Sequence, residues 1–582
     1  MPASRSSASL RTWIRVTDRI GNHLRMPKRS KPVAADPEGD PEIRILALLA
    51  TCVSFLAFLI YYQRGEITLY GDAVAHMNIA RRVFDSKTPG LLQLGTVWLP
   101  LPHLLMIPFL ISKDLWQRGA GGSIPSMIAY VLGVVGIFRL VRESLARGTT
   151  PAIAARLASW AAALVFAANP NLIYMQATAM GESLYLAFFV WAAVFLREFL
   201  DGDAKAAVKC ALCLAAACLT RYDGWFLSFA ISGVVAVFWI LSRGNAARFP
   251  GMDFSSILRF VLICAAAPIL WLAYNGIVYK NPLEFENGPY SAKAIERRTQ
   301  AEGNAGHPGS GNLILAGQYF LKAAEVNMAE SSWLERAWIL LLPVAAIALW
   351  QFRWGDPAPA PVRWGAPLAL AVLLIPIPFY ALSVAYGGVP IFIPPWWPFT
   401  HYNVRYGLQL LPAFSVAFGL VIFCILHYVR HKRLRIAATL LLFLLLGFSW
   451  AGVWRATPVC LQEAQINMRT RNRLEAQLST FLSKLPTNAT VLMYLGDHVG
   501  ALQKAGIPLS HVINEGNHRV WMQPSDPQGL WERALANPTA FADYIVAFEG
   551  DPVWQAVHDL HLRELVEIHV TGQARAILYR VR

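Results

Sequence analysis

The chain has 582 residues, of which 55% are hydrophobic and 15% charged, and its formal net charge is +15. A soluble protein could not bury so large an apolar fraction, so this composition excludes a soluble enzyme and predicts a polytopic membrane protein. The positive charge does not indicate nucleic-acid binding, because 12 Lys and Arg balance 12 Asp and Glu from Arg455 onward. The excess lies in the N-terminal tail and in short loops, as the positive-inside rule requires.

The first 44 residues are polar and basic and have no apolar core of signal-peptide type. We therefore expect residues 1–44 to form a disordered tail on the cytoplasmic side. Residues 45–454 are then the membrane domain, and residues 455–582 follow the last span.

Eleven apolar segments are long enough to be considered as membrane spans. They are predicted at residues 45–62, 123–142, 153–169, 183–200, 206–220, 225–242, 257–278, 336–352, 365–385, 406–427 and 436–453. The shortest and most alanine-rich are 153–169 and 206–220. With the N-terminus inside, Lys and Arg gather in the predicted cytoplasmic loops, and the predicted outer loop at 169–182 has none.

The segments between spans on the predicted outer side are too long to be simple turns. Loop 63–122 is expected to hold the helix of Asp72, and loop 279–335 is expected to be functional or disordered. Within the first, residues 101–111 predict an interfacial helix, and the proline- and aromatic-rich stretch 386–406 predicts a re-entrant or interfacial segment.

The region after the last span alternates strand-like and helix-like runs. The strand-like runs are 491–495, 544–548, 565–570 and 576–581, and the helix-like runs are 498–505, 530–536 and 553–560. This alternation predicts a small extracytoplasmic α/β domain. The predicted fold class is therefore mainly α, a polytopic membrane protein of about eleven transmembrane helices with a C-terminal soluble α/β domain.

Polar residues that could carry chemistry gather near span ends on the predicted outer side. They are Asp72, His76, Arg81, Arg82, His103, Glu182, Arg221, Asp223, Lys280, His401 and Arg405. The span interiors carry almost no charge, whereas an ion-coupled transporter places ionisable groups near the bilayer midplane. This favours an enzyme at the outer interface over a transporter or lipid flippase, which remains the alternative. A third hypothesis is a non-catalytic anchor that presents the α/β domain.

Asp72 lies just beyond the first span. Its carboxylate could act as a general base towards an acceptor hydroxyl, or it could simply cap the helix predicted at 73–85. Arg81 and Arg82 on that helix could clamp a phosphate, or they could extend to the lipid headgroups.

The remaining candidates each have a functional and a structural interpretation. Glu182 could hold a metal, orient a sugar or cap the helix beginning at Ser183. Arg221 and Asp223 could contact a phosphate or sugar, or form an ion pair that closes a tight turn. Arg405 and Lys280 could bind an anion, or they could be interfacial anchors.

Six segments together resemble the GT-C superfamily of integral-membrane glycosyltransferases. They are "GDAVAHMNIARR", "QLGTVWLPLPHLLMIPF", "TAMGESLYL", "LTRYDGW", "NGIVYKNPLEF" and "NVRYGLQLLP". The most similar branch is the protein O-mannosyltransferase and aminoarabinose-transferase group, a glycosyltransferase family 39-like branch. The resemblance covers most of residues 45–425.

The resemblance implies an inverting transfer of a sugar from a polyprenyl-phosphate donor to a lipid, glycan or protein acceptor at the outer face of the inner or plasma membrane. Asp72 matches the catalytic base, Glu182 a metal- or sugar-binding position, and Arg405 a lipid-phosphate ligand. The other substrate-binding candidates are His76, Arg81, Arg82, His103, Arg221, Asp223 and Lys280. Ala73 stands where many relatives have a second acidic residue, which weakens the case for a divalent metal. Such a metal would be held by Asp72 and Glu182.

Overall fold

The computed structural model describes residues 40–145, 152–244, 251–301, 303, 306–354, 365–496, 498–517 and 526–581. Residues 1–39 of the predicted cytoplasmic tail, residues 1–44, lie outside the described residues.

The described chain is mainly helical. The helices of its first half are α1 (Pro41–Gln63), α2 (Gly71–Arg82), α3 (Leu101–Leu110), α4 (Lys113–Gln117), α5 (Ala120–Leu145), α6 (Ala152–Ala167), α7 (Pro170–Met175), α8 (Glu182–Leu200), α9 (Ala204–Cys218), α10 (Asp223–Gly244) and α11 (Phe254–Val278). Those of its second half are α12 (Glu284–Asn287), α13 (Ala292–Ala301), α14 (Leu313–Val326), α15 (Ser332–Trp354), α16 (Gly365–Val372), α17 (Pro376–Tyr386), α18 (Leu411–Tyr428), α19 (Lys432–Ala456), α20 (Val459–Leu482), α21 (Val499–Ala505), α22 (Leu530–Ala536), α23 (Pro538–Phe541) and α24 (Pro552–Val557).

Among the described residues, nine helical segments are long and apolar enough to cross a membrane. Each overlaps one of the predicted spans, and the multi-pass architecture is thereby confirmed. The two other predicted spans, 153–169 and 206–220, form helices α6 and α9 of 16 and 15 residues. Helix α9 buries small side chains against α8 and α11, as alanine-rich membrane helices do when they pack closely.

Two predicted spans are not continuous α-helices. The span predicted at 365–385 is divided into α16 and α17, and α17 begins at Pro376. Proline has no backbone N–H to donate to the preceding turn, which accounts for the break. The span predicted at 406–427 begins with a 3-10 helix, Val404–Leu410, and continues as α18.

The predicted outer segments are partly structured. The helix predicted at 101–111 is confirmed as α3. Loop 279–335 contains α12, α13 and α14, and α14 packs against both α17 and the 3-10 helix Val404–Leu410. An antiparallel bridge between Phe392 and Tyr402 closes the proline-rich stretch.

The C-terminal region contains a five-stranded sheet of order β2-β1-β3-β5-β4. Its strands are β1 (Val491–Met493), β2 (Val512–Ile513), β3 (Tyr544–Phe548), β4 (Arg563–Ile568) and β5 (Ala576–Arg580). β1 is parallel to β2 and β3, whereas β5 is antiparallel to β3 and β4. The predicted α/β pattern is confirmed, but the two-residue strand β2 and the four-residue helix α23 were missed.

Helix α20 joins the last span to this sheet and was not predicted. It has 24 residues and packs against α7, the 3-10 helix Val404–Leu410 and α21. Its first turns therefore lie beside the membrane helices, which places its acidic residue Glu463 near the candidate site.

Candidate active site

Asp72 lies in the first turn of α2, where a carboxylate interacts favourably with the helix dipole. The N-cap residue is Tyr70, and no side-chain capping bond is formed, so the alternative that Asp72 caps this helix is wrong. The Oδ2 atom of Asp72 accepts a hydrogen bond from Nη2 of Arg405 at 2.7 Å. The Asp72 side chain is 40% exposed.

Arg405 is the centre of the site, and its guanidinium contacts three carboxylates. Besides Asp72, its Nε donates to Oε1 of Glu182 at 3.2 Å, and its Nη1 donates to Glu463. The rings of Tyr70 and Tyr406 lie 5.1 and 5.2 Å from the guanidinium carbon. Such aromatic contacts fix the plane of the guanidinium while the carboxylates fix its edges.

Glu182 is the first residue of α8, and its N-cap is Gly181 without a side-chain capping bond, so the capping alternative is wrong here too. Its Oε1 atom accepts from both Arg405 and Nη1 of Arg221, the latter at 3.0 Å. Its Oε2 atom is buried and has no hydrogen-bond partner among the described residues. A buried carboxylate oxygen in this state is a ready acceptor for a ligand donor.

Arg221 and Asp223 form the ion pair that closes the turn between α9 and α10. Nε of Arg221 lies 3.1 and 3.2 Å from the two carboxylate oxygens of Asp223. Tyr380 accepts from Arg221 at 3.0 Å and donates to Asp223 at 2.9 Å. The turn-closing interpretation is thus confirmed, and the same pair is joined to the site through Glu182.

These residues form one network, which we call the Arg405 cluster. Its charged members are Asp72, Glu182, Arg221, Asp223, Arg405 and Glu463. Two guanidiniums face four carboxylates, so the cluster has a formal excess of negative charge. Three of the carboxylates are nearly inaccessible, with side-chain exposures of 1% for Glu182, 5% for Asp223 and 0% for Glu463.

His76 on α2 and His103 on α3 form a second, hydrogen-bonded pair. Nδ1 of His76 lies 2.8 Å from Nε2 of His103, and the His76 ring is 4.9 Å from the ring of Trp98. Burial lowers the pKa of His76, although Asp72 and Glu182 oppose this shift. Burial also holds the pKa of His103 well below its usual range. Burial therefore disfavours the charged form of both imidazoles.

Comparison with known proteins identifies the architecture in which these residues are set. No protein-family model and no curated protein sequence matches this chain. Two crystal structures of ArnT from Cupriavidus metallidurans match it with 12% identity and a TM-score of 0.53. One is bound to undecaprenyl phosphate and the other is in the apo state; they cover 92% of this chain, and this chain covers 98% and 97% of theirs.

The chain has the ArnT fold. This confirms the mainly helical, polytopic fold class expected from the sequence. The apo Archaeoglobus fulgidus oligosaccharyltransferase matches with a TM-score of 0.44, which is too low to bear on the fold.

Within the ArnT fold, Glu463 is a site residue that the sequence did not reveal. It is fully buried, and its Oε2 accepts from the backbone N–H groups of Val404 at 2.7 Å and Arg405 at 3.4 Å. The only available signal was an acidic residue ten positions beyond the predicted end of the last span. Tyr70, Tyr380 and Tyr406 were missed in the same way.

Arg81 lies apart from the Arg405 cluster in this ArnT-like arrangement. Its Nε donates to Asp85 at 2.8 Å, and its Nη1 donates to the backbone carbonyl oxygens of Leu110 and Ile111. The Arg81 guanidinium also lies 4.9 Å from the Trp116 ring. Arg81 therefore joins α2 to α3, and neither a phosphate clamp nor a headgroup anchor describes this buried position.

The described contacts of three other candidates also lie outside the Arg405 cluster. Nε of Arg82 is buried without a hydrogen-bond partner among the described residues. Lys280 is exposed, and its Nζ donates to the carbonyl of Ile277 at 2.9 Å. Nε2 of His401 lies 3.2 Å from the side-chain oxygen of Gln462.

The residues predicted to hold a divalent metal do not fit one in this arrangement. The guanidinium of Arg405 lies between Asp72 and Glu182 and bonds both, where a bridging cation would have to sit. Across the part of the chain that the structure describes, no group of three or more His, Cys, Asp or Glu is arranged as a metal site.

Proposed function

We propose that the protein is a membrane glycosyltransferase that moves a sugar from a polyprenyl-phosphate donor to an acceptor hydroxyl, with Asp72 as the general base. The observation that carries this proposal is the exposure of the cluster carboxylates. Asp72 is 40% exposed, whereas Glu182, Asp223 and Glu463 are exposed by 5% or less. Among these four carboxylates, only Asp72 both bonds a buried arginine and is exposed enough to contact a substrate.

The fold supports the choice of donor class. The matching ArnT structure was obtained with undecaprenyl phosphate bound. A sugar linked to such a lipid has a phosphate as its leaving group, and a phosphate departs as a stabilised anion. The enzyme then needs a base for the acceptor more than an acid for the leaving group.

The proposed reaction is a single displacement. Asp72 takes the proton of the acceptor hydroxyl as its oxygen bonds to the sugar carbon from the face opposite the phosphate. The bond between that carbon and the phosphate oxygen breaks, and the polyprenyl phosphate leaves with the bonding electrons. One displacement inverts the configuration at the sugar carbon.

The bonds that Arg405 already makes affect how it could bind the donor phosphate. Arg405 bonds the three carboxylates through three of its five N–H donors, and we propose that the donor phosphate binds it by displacing one of them. Asp72 is the carboxylate with solvent access and therefore the one that exchanges most readily. The exchange would transfer Arg405 to the phosphate and release Oδ2 of Asp72 for the acceptor proton.

The buried cluster also suggests how the sugar is held. Oε2 of Glu182 is a buried acceptor without a described partner, beside the same guanidinium that holds Asp72. A sugar hydroxyl that donates to this oxygen would be fixed relative to both Arg405 and Asp72. The proposed acceptor is the hydroxyl of a lipid, a glycan or a protein. The proposed orientation has the N-terminus in the cytoplasm and the α/β domain outside.

The test compares Asp72→Asn with Asp114→Asn. Asp114 lies in the same outer segment and pairs with Arg118 at 2.8 Å, but its side chain is 64% exposed and outside the cluster. Purified protein is incubated with a panel of polyprenyl-phosphate sugars and a membrane extract as acceptor, and lipid-phosphate release is measured by mass spectrometry.

Removal of a general base lowers the rate by about 10²- to 10⁴-fold, so Asp72→Asn should lose turnover on this scale while Asp114→Asn retains it. Full turnover in folded Asp72→Asn would overturn the assignment. Movement of the lipid-linked sugar across proteoliposomes without release of lipid phosphate would favour the flippase alternative.

A further inference from the structure

The α/β domain is bonded to the helix that carries Asp72. Oε1 of Gln503, on α21, accepts from the side-chain amide of Asn78 on α2 at 2.8 Å. Nε2 of Gln503 donates to the backbone carbonyl of Trp116 at 2.7 Å, and the Trp116 indole donates back to Asn78 at 3.1 Å. Three residues from three segments thus close a ring, which we call the Asn78 ring.

The Asn78 ring is buried and satisfied. Asn78, Trp116 and Gln503 are exposed by 2%, 0% and 3%. The remaining amide donor of Asn78 bonds the carbonyl of Val74 within its own helix at 2.8 Å. A buried polar network of this kind tolerates one geometry, because any shift leaves a donor or acceptor without a partner. It therefore specifies position rather than adding apolar contact area.

A second set of bonds holds the end of α2 to the same domain. The backbone N–H of Ser510 donates to Asp85 at 2.9 Å. The fully buried Asn517 donates to the hydroxyls of Ser86 and Thr88 at 3.1 and 3.0 Å. Both sets of bonds involve residues that follow Asp72 in the sequence, in α2 itself or just beyond its end.

We propose that the α/β domain positions the general base, with Asn78 and Gln503 as positioning residues that act through α2. This rests on the proposed function of Asp72. Asp72 and Asn78 are six positions apart, about 9 Å along an α-helix, so a shift of α2 at Asn78 is passed through the helix to its first turn. The Asn78 ring fixes the helix along its length, while Arg405 holds the carboxylate at its first turn. A displaced ring changes where that carboxylate stands relative to the sugar carbon.

The test uses Gln503→Ala, with Gln573→Ala as the matched control. Gln573 belongs to the same domain and also bonds another element, Thr470 of α20, at 2.9 Å, but it does not contact α2. Lipid-phosphate release gives kcat and KM for the polyprenyl-phosphate sugar. Binding of undecaprenyl phosphate gives Kd, and hydrogen exchange reports on the amides of residues 73–82.

Gln503→Ala should lower kcat by about 10- to 100-fold, since a displacement of about 1 Å at a reacting group has effects of this size. The Kd for undecaprenyl phosphate and the KM for the donor should stay unchanged, and exchange in α2 should accelerate. Asn78→Ala should behave alike, and the double variant should lose less than the sum of the two single variants, because both remove the bond between Asn78 and Gln503. Gln573→Ala should match wild type throughout.

Wild-type kcat in folded Gln503→Ala would overturn the proposal. So would a loss of kcat without faster exchange in α2, or one shared by Gln573→Ala. If Gln503→Ala does not yield folded protein, Gln117→Ala replaces it. That variant removes a partly buried bond to the carbonyl of Lys504 at 3.1 Å, and a smaller fall in kcat with the same exchange signature is expected. Turnover in Asp72→Asn would instead remove the proposed function itself, whatever Gln503 does.

Discussion

Glu182→Gln provides the sharpest test of the cluster, because the same helix supplies its control. Glu182 begins α8, and Glu198 lies near the other end of that helix, about 24 Å away along its axis. Each is bonded to arginine: Glu182 to Arg221 and Arg405, and Glu198 to Arg139 at 2.5 Å. The change from carboxylate to amide is identical at both positions.

The loss of stability should be similar in the two variants. Each arginine keeps another carboxylate: Arg405 keeps Asp72 and Glu463, Arg221 keeps Asp223, and Arg139 keeps Glu143. The glutamine retains an acceptor oxygen, so we expect a loss of about 1–2 kcal/mol in the free energy of unfolding, well below the cost of stranding a buried charge.

Activity should separate the two variants. Oε2 of Glu182 is proposed to accept a hydrogen bond from the sugar, and a hydrogen bond to a charged group contributes about 1.5–3 kcal/mol. At about 1.4 kcal/mol per factor of ten, Glu182→Gln should lower kcat/KM for the polyprenyl-phosphate sugar by about 10- to 150-fold. Glu198→Gln should transfer at the wild-type rate. Equal losses in both variants, or full activity in Glu182→Gln, would refute the role given to Glu182.

Three further outcomes follow from named contacts. Glu463→Ala should lower the free energy of unfolding by about 3–5 kcal/mol, and Glu463→Gln by only about 1–2 kcal/mol, because glutamine still accepts hydrogen bonds from the backbone. Thermal unfolding of both variants in detergent checks this order, and equal losses would contradict it. Folding lowers the pKa of His103, so the unfolded chain binds a proton at a higher pH than the folded chain does, and the free energy of unfolding should fall as the pH drops below about 6.5. His103→Phe should reduce this pH dependence of the free energy of unfolding. An unchanged pH dependence would count against a neutral buried imidazole. Arg81→Met should lower the free energy of unfolding by about 1–3 kcal/mol, since it leaves the carbonyl of Leu110 without this donor. The Kd for undecaprenyl phosphate should stay unchanged. A higher Kd would support Arg81 as a phosphate ligand.

The positions of the spans could be predicted from sequence because a bilayer requires runs of about 20 apolar residues. Helix α8 was predicted at 183–200 and runs from 182 to 200. The same rule is silent on helices that packing rather than lipid stabilises, such as α20. Its 24 residues mix charged and apolar side chains, so no continuous apolar run indicated that it follows the last span directly.

The candidate site was predictable residue by residue but not as a network. Asp72, Glu182, Arg221 and Arg405 were each identified by their place at a span end. Their pairing was not, because Arg405 and Asp72 are 333 residues apart, and Arg405 and Glu182 are 223 apart. Local patterns indicate which residues reach the interface, whereas tertiary packing decides which of them meet.

The adjacent residues Arg81 and Arg82 of α2 also show that a local sequence pattern does not predict tertiary contacts. Neighbouring helical residues point about 100° apart, so two adjacent arginines leave the helix in different directions. Arg81 faces α3 and is 7% exposed, whereas Arg82 is partly exposed. Composition could not distinguish them, because burial of Arg81 depends on carbonyl groups at the end of α3 that no sequence pattern marks.

Helix α2 is too short and too polar to be stable by itself, and this explains why it is held from several sides. It has 12 residues, near the limit at which an isolated helix forms in water. Arg405 holds its first turn, the Asn78 ring its middle, and Arg81 and Asp85 its end, with partners drawn from the membrane helices, α3 and the α/β domain. A base carried on such a helix is only as well placed as these contacts are intact. The position of Asp72 therefore depends on residues spread from the first outer segment to the sheet, and we expect changes in the α/β domain to alter the rate of transfer through α2.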